Sequence, residues 1–444
     1  MFQTFKNAWK VQELRKKILF TLMIILLYRI GATLFVPFVD VTLLDNLTQF
    51  TTGNIFQFLN TLSGNAFKNG TFFALSVSPY ITASIVMQLL TIAIPALERL
   101  SKQGEDGKKK IASYTRLVTV LLALLTSYGY VELLNSYGVL VVSKSDGAFY
   151  YFQLAVMIAC LCAGASLVMW LAEKINDHGI GNGISIILFA NIISDAGSQL
   201  ESMKSMIMVS NTEFMLGWDL AFGIIKIVIS LALTIVAVGA IVWFTNSERR
   251  IPIQYAKRVV GRKMYGGQSS NLPLKMNMAG VMPVIFASSI VSLPATIASF
   301  FPGTGFETFV NKWLGPTSAI YIALFLVLIF AFSYFYIMIS FNPVEVANNI
   351  KSNGGSVPGI RPGRSTSDYI KKVLNRVTLV GAIFLGVIAG VPMIANAIFA
   401  IFNFNFTTLA FTGTSLLIVV GVALETVREL EAQLSMRNYK GFLD

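Results

Sequence analysis

Side chains able to do covalent chemistry are few in this chain and widely spaced. His178 is the only histidine, in the stretch His178-Gly179-Ile180-Gly181-Asn182-Gly183. One loop histidine supplies neither a catalytic pair nor a metal-ligand set. The run Gly179-x-Gly181-x-Gly183 is not a nucleotide fingerprint, because no strand precedes it. It reads as a tight turn into the apolar segment that follows. No phosphate-binding loop is present, so hydrolysis of ATP by this chain is not expected. Cys160 and Cys162 lie two residues apart in an apolar run and point to different faces of a helix. They read as buried small hydrophobes, with no disulfide framework and no metal spacing. Charges inside or near apolar runs are Arg29, Glu132, Lys226 and Glu425. Ion-coupled transport places carboxylates or paired charges within the spans. The segments that look like broken helices carry Pro, Gly, Ser, Thr and Ile, with no acid. A site lined that way holds neither an ion nor a charged substrate. It can form a greasy constriction that closes by excluding water. The sequence therefore predicts no catalytic residue, no cofactor and no metal.

The elements that would position such a constriction follow from composition. The 444 residues are 55% hydrophobic and 13% charged, against roughly 25% charged in a soluble domain. Repeated apolar runs of about 18 or more residues predict an all-α polytopic membrane protein. Ten spans are expected, near 18–36, 71–93, 114–135, 149–172, 181–199, 218–244, 277–300, 317–340, 376–396 and 411–428. The net charge of +12 reads first as topology, because Lys and Arg collect in cytoplasmic loops. Lys6, Lys10, Arg15, Lys16 and Lys17 precede the first span, which puts the N-terminus inside. Of the basic residues, only Lys68, Lys144, Lys204 and Lys312 then fall in outer segments. Both termini are expected in the cytoplasm. No small-residue cleavage site follows the first apolar run, so a removable signal peptide is not expected.

The spans repeat. The second contains Pro79-Tyr80-Ile81-Thr82-Ala83-Ser84 and the seventh Pro283-Val284-Ile285-Phe286-Ala287-Ser288, both Pro-x-Ile-x-Ala-Ser. The fifth begins Gly183-Ile184-Ser185 and the tenth Gly413-Thr414-Ser415, both Gly-x-Ser followed by aliphatics. Equivalent positions in two halves of five spans mean that the halves insert with opposite orientation. An inverted repeat places its site at mid-membrane between the halves. The stretch 70–93 reads as a spanning helix with Pro79 one or two turns in. Just before it, 55–69 is apolar, too short to cross, and broken at Ser63-Gly64-Asn65. The expected division is a basic N-terminus (1–17), an N-terminal half (18–199), an external hinge loop (200–217), a C-terminal half (218–428) and a cytoplasmic tail (429–444).

Two long basic loops stand out, 245–276 and 341–376. In the first, Arg250-Ile251-Pro252-Ile253-Gln254-Tyr255 alternates like a short strand or ribbon. Lys257, Arg258, Arg262, Lys263 and a Gly266-Gly267 turn follow. The second carries Pro358-Gly359-Ile360-Arg361-Pro362-Gly363, which fixes one arginine at a rigid tip, and then Arg364. Topology alone accounts for solvated charge, yet both loops are longer than topology requires and use Gly and Pro to shape a tip. A basic tip suits a negative partner: ribosomal RNA, an acidic protein surface or anionic lipid. Composition does not choose among these.

At these residues the sequence resembles the SecY family, the central channel subunits of the bacterial Sec protein translocase. The motifs are Ser78-Pro79-Tyr80-Ile81-Thr82-Ala83-Ser84-Ile85, Gly179-Ile180-Gly181-Asn182-Gly183-Ile184-Ser185, and Leu272-Pro273-Leu274-Lys275 with Asn277-Met278-Ala279-Gly280-Val281. Phe286-Ala287-Ser288-Ser289, Pro294-Ala295-Thr296-Ile297-Ala298-Ser299, Val357-Pro358-Gly359-Ile360-Arg361-Pro362-Gly363 and Gly413-Thr414-Ser415-Leu416-Leu417-Ile418-Val419-Val420 complete the set. The resemblance implies ten transmembrane helices in two inverted pseudosymmetric halves, hinged between spans five and six. It implies a pore ring of Val77, Ile81, Ile184, Leu188, Ile285 and Ile418, in which Val77 and Leu188 depart from an all-isoleucine pattern but stay aliphatic. It makes 55–69 a plug, with Ile55, Phe56, Phe58, Leu59, Leu62, Ser63, Gly64 and Asn65 as its residues. Asn65 and Lys68 stand there where relatives often have small residues.

A lateral gate would lie between spans two–three and seven–eight, with Ser84, Gln88, Asn277 and Ser288 as gate residues. Arg250, Lys257, Arg258, Arg262, Lys263, Arg361 and Arg364 would dock the motor SecA and the ribosome. Other implied partners are SecE- and SecG-type small membrane subunits, an unfolded preprotein with a signal sequence, and the lipid bilayer. The implied activity is a protein-conducting channel of the plasma membrane, without covalent chemistry. A secondary transporter of small solutes would share the ten spans and the inverted repeat, but it predicts a charged or strongly polar site within the membrane. A membrane enzyme would need a catalytic pair in the spans.

Overall fold

Long apolar runs leave backbone N–H and C=O groups without water, and helices satisfy those groups within the segment. The structure, a computed structural model, accordingly describes a mostly helical chain over residues 2–43, 56–141, 147–204, 208–210, 213–214, 218–255, 258–260, 263–265, 269–298, 300–301, 303–315, 318–401 and 413–440. The N-terminal half holds α1 (Phe2–Lys10), α2 (Gln12–Gly31), α3 (Phe56–Ser63), α4 (Ser78–Ala93), α5 (Pro95–Ser101), α6 (Glu105–Ser136), α7 (Ala148–His178) and α8 (Gly183–Lys204). A hairpin of β1 (Met208–Ser210) and β2 (Glu213–Phe214) follows, then α9 (Trp218–Asn246). The first basic loop contains β3 (Glu248–Tyr255), β4 (Arg258–Val260), β5 (Lys263–Tyr265) and β6 (Ser269–Lys275). The rest is α10 (Met282–Ala298), α11 (Gly305–Trp313), α12 (Ala319–Ser340), α13 (Pro343–Ser352), β7 (Gly355–Ser356), α14 (Arg364–Ile401) and α15 (Gly413–Lys440).

Each of the ten expected spans falls on a helix. Among the described residues, five helices are long and apolar enough to cross a membrane unaided, and α4 with α5 forms a further pair bent by 105°. Pro95 explains the bend: Ile94 before it is extended (φ −106°, ψ 113°), as a residue preceding proline prefers. Several boundaries move. Pro79 is not inside a spanning helix; it opens α4, where its missing N–H costs nothing, and residues 72–77 are turns. The tenth helix runs on to Lys440, so most of 429–444 is helix rather than tail. The ninth begins at Arg364, well before the expected 376.

Among the described residues the two halves meet along two principal seams. At one, α4 packs against α10, with α3 and α6 also touching α10; at the other, α8 packs against α15, with α1 also on α15. These are the helix pairs that carry the two sequence repeats. One large apolar core runs through both halves, from Ile24 on α2 to Val422 on α15. A second, smaller core joins the two basic loops. β3 pairs antiparallel with β6 from Glu248↔Lys275 to Gln254↔Ser269, and its far end pairs with β7 through Gln254↔Ser356 and Tyr255↔Gly355. Ile251 and Ile253 alternate inward on β3 and bury against Leu274, Ile350, Val357 and Ile370. Asn342 opens α13 by accepting a hydrogen bond from the Val344 amide at 3.2 Å, with Pro343 in the first turn.

Candidate functional site at the seam between the halves

Of the six aliphatic residues, Val77, Ile81, Leu188, Ile285 and Ile418 belong to the large core, and Ile184 packs against it. Val77 is the cap of α4 and Ile81 lies one turn on; Ile184 and Leu188 repeat that spacing on α8. Residues four apart share a helix face, so each helix presents two aliphatics in one direction. Local chemistry sets where these helices begin. Pro79 starts α4. At α8, the Asn182 Oδ1 accepts the Ile184 amide at 3.1 Å, and the Asn176 Oδ1 accepts the Gly183 amide at 2.7 Å. Gly181 adopts φ +78°, which closes the turn before the helix. Ile285 falls in the first turn of α10 and Ile418 in the second turn of α15. Five of the six are 3% exposed or less, and Ile184 is half-buried. Among the described residues there is no group of three or more His, Cys, Asp or Glu side chains that could hold a metal.

The short helix α3 lies against the cluster. Leu62 and Ser63 are buried, Leu62 belongs to the same core, and Leu59 packs on it. Ile55 lies outside the described residues; Phe56 and Phe58 fall on α3. After Ser63 the chain turns through two left-handed residues, Gly64 (φ +61°) and Asn65 (φ +71°). The Asn65 amide returns to Asn60 O at 3.1 Å, and Ser63 Oγ accepts the Phe67 amide at 3.0 Å. Asn60 Oδ1 accepts the Lys68 amide at 3.1 Å. The segment is then tied to its surroundings by side chains. Tyr130 on α6 donates its hydroxyl to Phe67 O. Asn191 on α8 donates to Leu62 O at 2.6 Å, to the Tyr28 hydroxyl at 2.9 Å and to Ser76 Oγ at 3.2 Å. Asn65 Nδ2 donates to Asp195 Oδ1 at 2.7 Å. Arg29 on α2 donates to Ala190 O on α8.

Sequence reasoning singled out Arg29 only as a charge within a span, and it missed Tyr28, Ser76, Tyr130, Asn191 and Asp195. The placing of Asn191 and Asp195 one turn apart was the available signal.

Of the expected gate residues, Ser84 and Gln88 are half-buried on α4 and bond each other, Gln88 Nε2 to Ser84 Oγ at 3.4 Å. Ser288 is buried on α10 and donates to Ile285 O of its own helix at 2.9 Å. Asn277 is not on α10; it precedes the helix, in the connection from β6. His178 closes α7, with its ring 5.8 Å from that of Phe20.

The basic loops converge on the β3–β6–β7 sheet. Arg250 is exposed on β3 and pairs with Glu248 at 2.6 Å. Arg361 is exposed at a turn whose glycines, Gly359 and Gly363, have φ +79° and +102°. Thr366 Oγ1 donates to Arg361 O at 2.9 Å and holds that turn. Arg364 is exposed at the start of α14. Arg258 and Lys263 lie on a β4–β5 hairpin that reverses at Val260↔Lys263. Lys257, Arg262 and the Gly266-Gly267 pair lie outside the described residues.

The chain matches the family model described as SecY over residues 71–427. It is 46% identical over 451 residues to the protein translocase subunit SecY of Streptomyces coelicolor. It is 41% identical over 457 residues to that of Mycobacterium tuberculosis, and both alignments cover all of each chain. A solved protein-conducting channel, 17% identical, superposes with a TM-score of 0.66 over 94% of this chain and 92% of its own, a likeness of fold.

Proposed function

The chain belongs to the SecY family, and from that premise we propose which of its parts conduct, seal, open and dock. It is the channel subunit of a protein translocase, a multi-pass protein of the plasma membrane. Such a channel passes unfolded secretory proteins across the membrane and releases apolar segments sideways into it. A transporter of small solutes is not supported.

In our reading Val77, Ile81, Ile184, Leu188, Ile285 and Ile418 form the constriction. The observation that carries it is the gathering of five of these aliphatics, from four helices of both halves, into one core with the sixth, Ile184, packed against it. Such a ring touches a passing chain without specific hydrogen bonds, which suits a substrate of any sequence, and it excludes water at rest. The segment 55–69 is the plug, supported by the burial of Leu62 and Ser63 against that core. The α4–α10 seam is the lateral gate: a hydrophobic signal segment that binds there better when it is parted biases the halves open. The termini and basic loops face the cytoplasm. The sheet formed by β3, β6 and β7 makes one platform from which Arg250, Arg258, Lys263, Arg361 and Arg364, together with Lys257 and Arg262, meet the motor SecA and the ribosome. SecE- and SecG-type subunits complete the complex.

Deleting 55–69 tests the seal. In vesicles holding the complex, ion leak should rise well above that of the intact channel, and an unchanged leak would remove the plug assignment. The docking assignment is tested by Arg361→Glu, which should abolish export of a secreted protein while leaving the complex assembled. Normal export would sink it.

A further inference from the structure

Asn191 and Asp195 stand one turn apart on α8 and face the same segment. We infer that they are positioning residues that latch the plug by the C-terminal end of its helix, an inference that rests on reading 55–69 as a plug.

The chemistry begins at α3. A helix leaves its last carbonyls without partners inside the helix, and Leu62 O is one of these. Asn191 Nδ2 reaches it at 2.6 Å. A carbonyl only accepts, so this contact fixes which end of the Asn191 side chain is the NH2. That NH2 has two hydrogens and three acceptors in reach; Leu62 O takes one, and the Tyr28 hydroxyl and Ser76 Oγ share the other. Those two oxygens lie 3.1 Å apart and hold each other. Asn191 is fully buried, and its Oδ1 has no hydrogen-bond partner among the described residues. Leaving a buried acceptor unpaired is unfavourable. The residue is therefore poorly explained as helix packing and well explained as a donor held ready for Leu62 O. One turn on, Asp195 accepts from Asn65 Nδ2 at 2.7 Å, and Asn60 Nδ2 donates to Asn65 Oδ1 at 2.9 Å, which fixes the Asn65 amide in place.

The latch is specific to one seat. If α3 moves by a single turn, Leu62 O leaves both Asn191 and Ser76, whose Oγ donates to it at 3.4 Å, and Asn65 Nδ2 leaves Asp195. Tyr28 and Ser76 stay bound to Asn191, so that side chain keeps its place and can capture Leu62 O again. Both contacts break together, so the plug leaves as a unit.

The test uses the full chain with its partner subunits in potassium-loaded vesicles, measured with and without 55–69. Asn191→Leu keeps the shape and removes the donor; Asp195→Leu removes the acceptor; Asp195→Asn keeps an acceptor oxygen. Losing one such hydrogen bond should raise the unlatched fraction, and hence the leak, about tenfold. The two Leu variants should therefore leak in the full chain and add nothing once 55–69 is deleted, while Asp195→Asn stays near the parent. Should Asn191→Leu not assemble, Asn65→Gly, which keeps the left-handed turn, reads the Asp195 contact from the plug side, with a several-fold rise expected. A leak that stays at the parent level in these variants, although the deletion leaks, overturns the latch and spares the plug. A rise that persists without 55–69 overturns it too, by assigning the effect to the wall. A deletion that does not leak takes away the plug reading and the latch with it.

Discussion

The α4–α10 seam and the seat of α3 on α8 use the same kinds of residue, small and polar ones, in opposite ways. Along the seam the polar groups are turned inward on their own helices. Thr82 donates to Ser78 O, Thr91 to Met87 O, Ser288 and Ser289 to Ile285 O, and Ser292 to Ser289 O. Gln88 turns back one turn to Ser84. At the seat of α3 the side chains reach across, from α8 to Leu62 and Asn65 and from α6 to Phe67. A hydroxyl already satisfied within its helix loses nothing when the neighbouring helix departs, so the seam opens without stranding a buried polar group. A side chain that reaches across is stranded by departure, so it selects one position strongly. On the proposed assignments, the gate would part along a line for any apolar segment, and the plug would come home to one place.

The largest effect that would sharpen this contrast lies in the seam. From Pro283 to Ser289 every residue of α10 is buried, so the helix is enclosed on all sides. Ser288→Phe has no room there, and overpacking of this kind costs about 1–3 kcal/mol. The contact of α10 with α12 is more extensive than that with α4, so the strain should be relieved between the halves. The minor open population grows, and a preprotein with a weakened signal segment should be exported more efficiently than by the parent. Export of that preprotein at the parent level would show that the seam does not respond to packing.

A smaller effect is expected at the seat. Gly64 has φ +61°, and a Cβ there would lie 2.9 Å from the Arg29 guanidinium nitrogens and 3.0 Å from Asn191 Cα. A left-handed residue other than glycine costs about 1–2 kcal/mol. Gly64→Ala should therefore raise resting ion leak several-fold, without helping a weakened signal. If the substitution instead acts like Ser288→Phe, seam and seat are one mechanical unit and the contrast fails.

How much of this was legible in the chain itself depended on the range of the signal. The helices were readable because hydropathy and the Pro-x-Ile-x-Ala-Ser and Gly-x-Ser repeats are local, whereas the six aliphatics came from the family resemblance. The repeat even pairs the helices that meet, α4 with α10 and α8 with α15. Pro79 was misplaced because hydropathy continues through 72–77 although the backbone there turns. The side-chain ties of α3 were invisible for a different reason. Asn65 and Asp195 are 130 residues apart, and a lone Asn or Asp on an apolar helix looks the same whether it bonds locally or far away. The joining of the two basic loops was hidden likewise: Gln254↔Ser356 is a pairing of two short edges, with no pattern of its own. The rigid Arg361 turn, by contrast, was written in its prolines and glycines.

The most discriminating result is the smallest. Gln88 is half-buried on α4, at the face assigned to the gate, and the only described hydrogen bond of its side chain is the 3.4 Å contact to Ser84 of the same helix. If the seam keeps its polar groups to itself, Gln88→Leu removes a weak local contact and strands no partner across the interface. The change in closed-state stability should stay below about 0.5 kcal/mol. Both resting leak and export of a weakened-signal preprotein should then match the parent. An effect as large as that of Gly64→Ala would mean that Gln88 bonds across the seam in the resting channel, and the division between a self-satisfied gate and a cross-bonded plug would have to be given up.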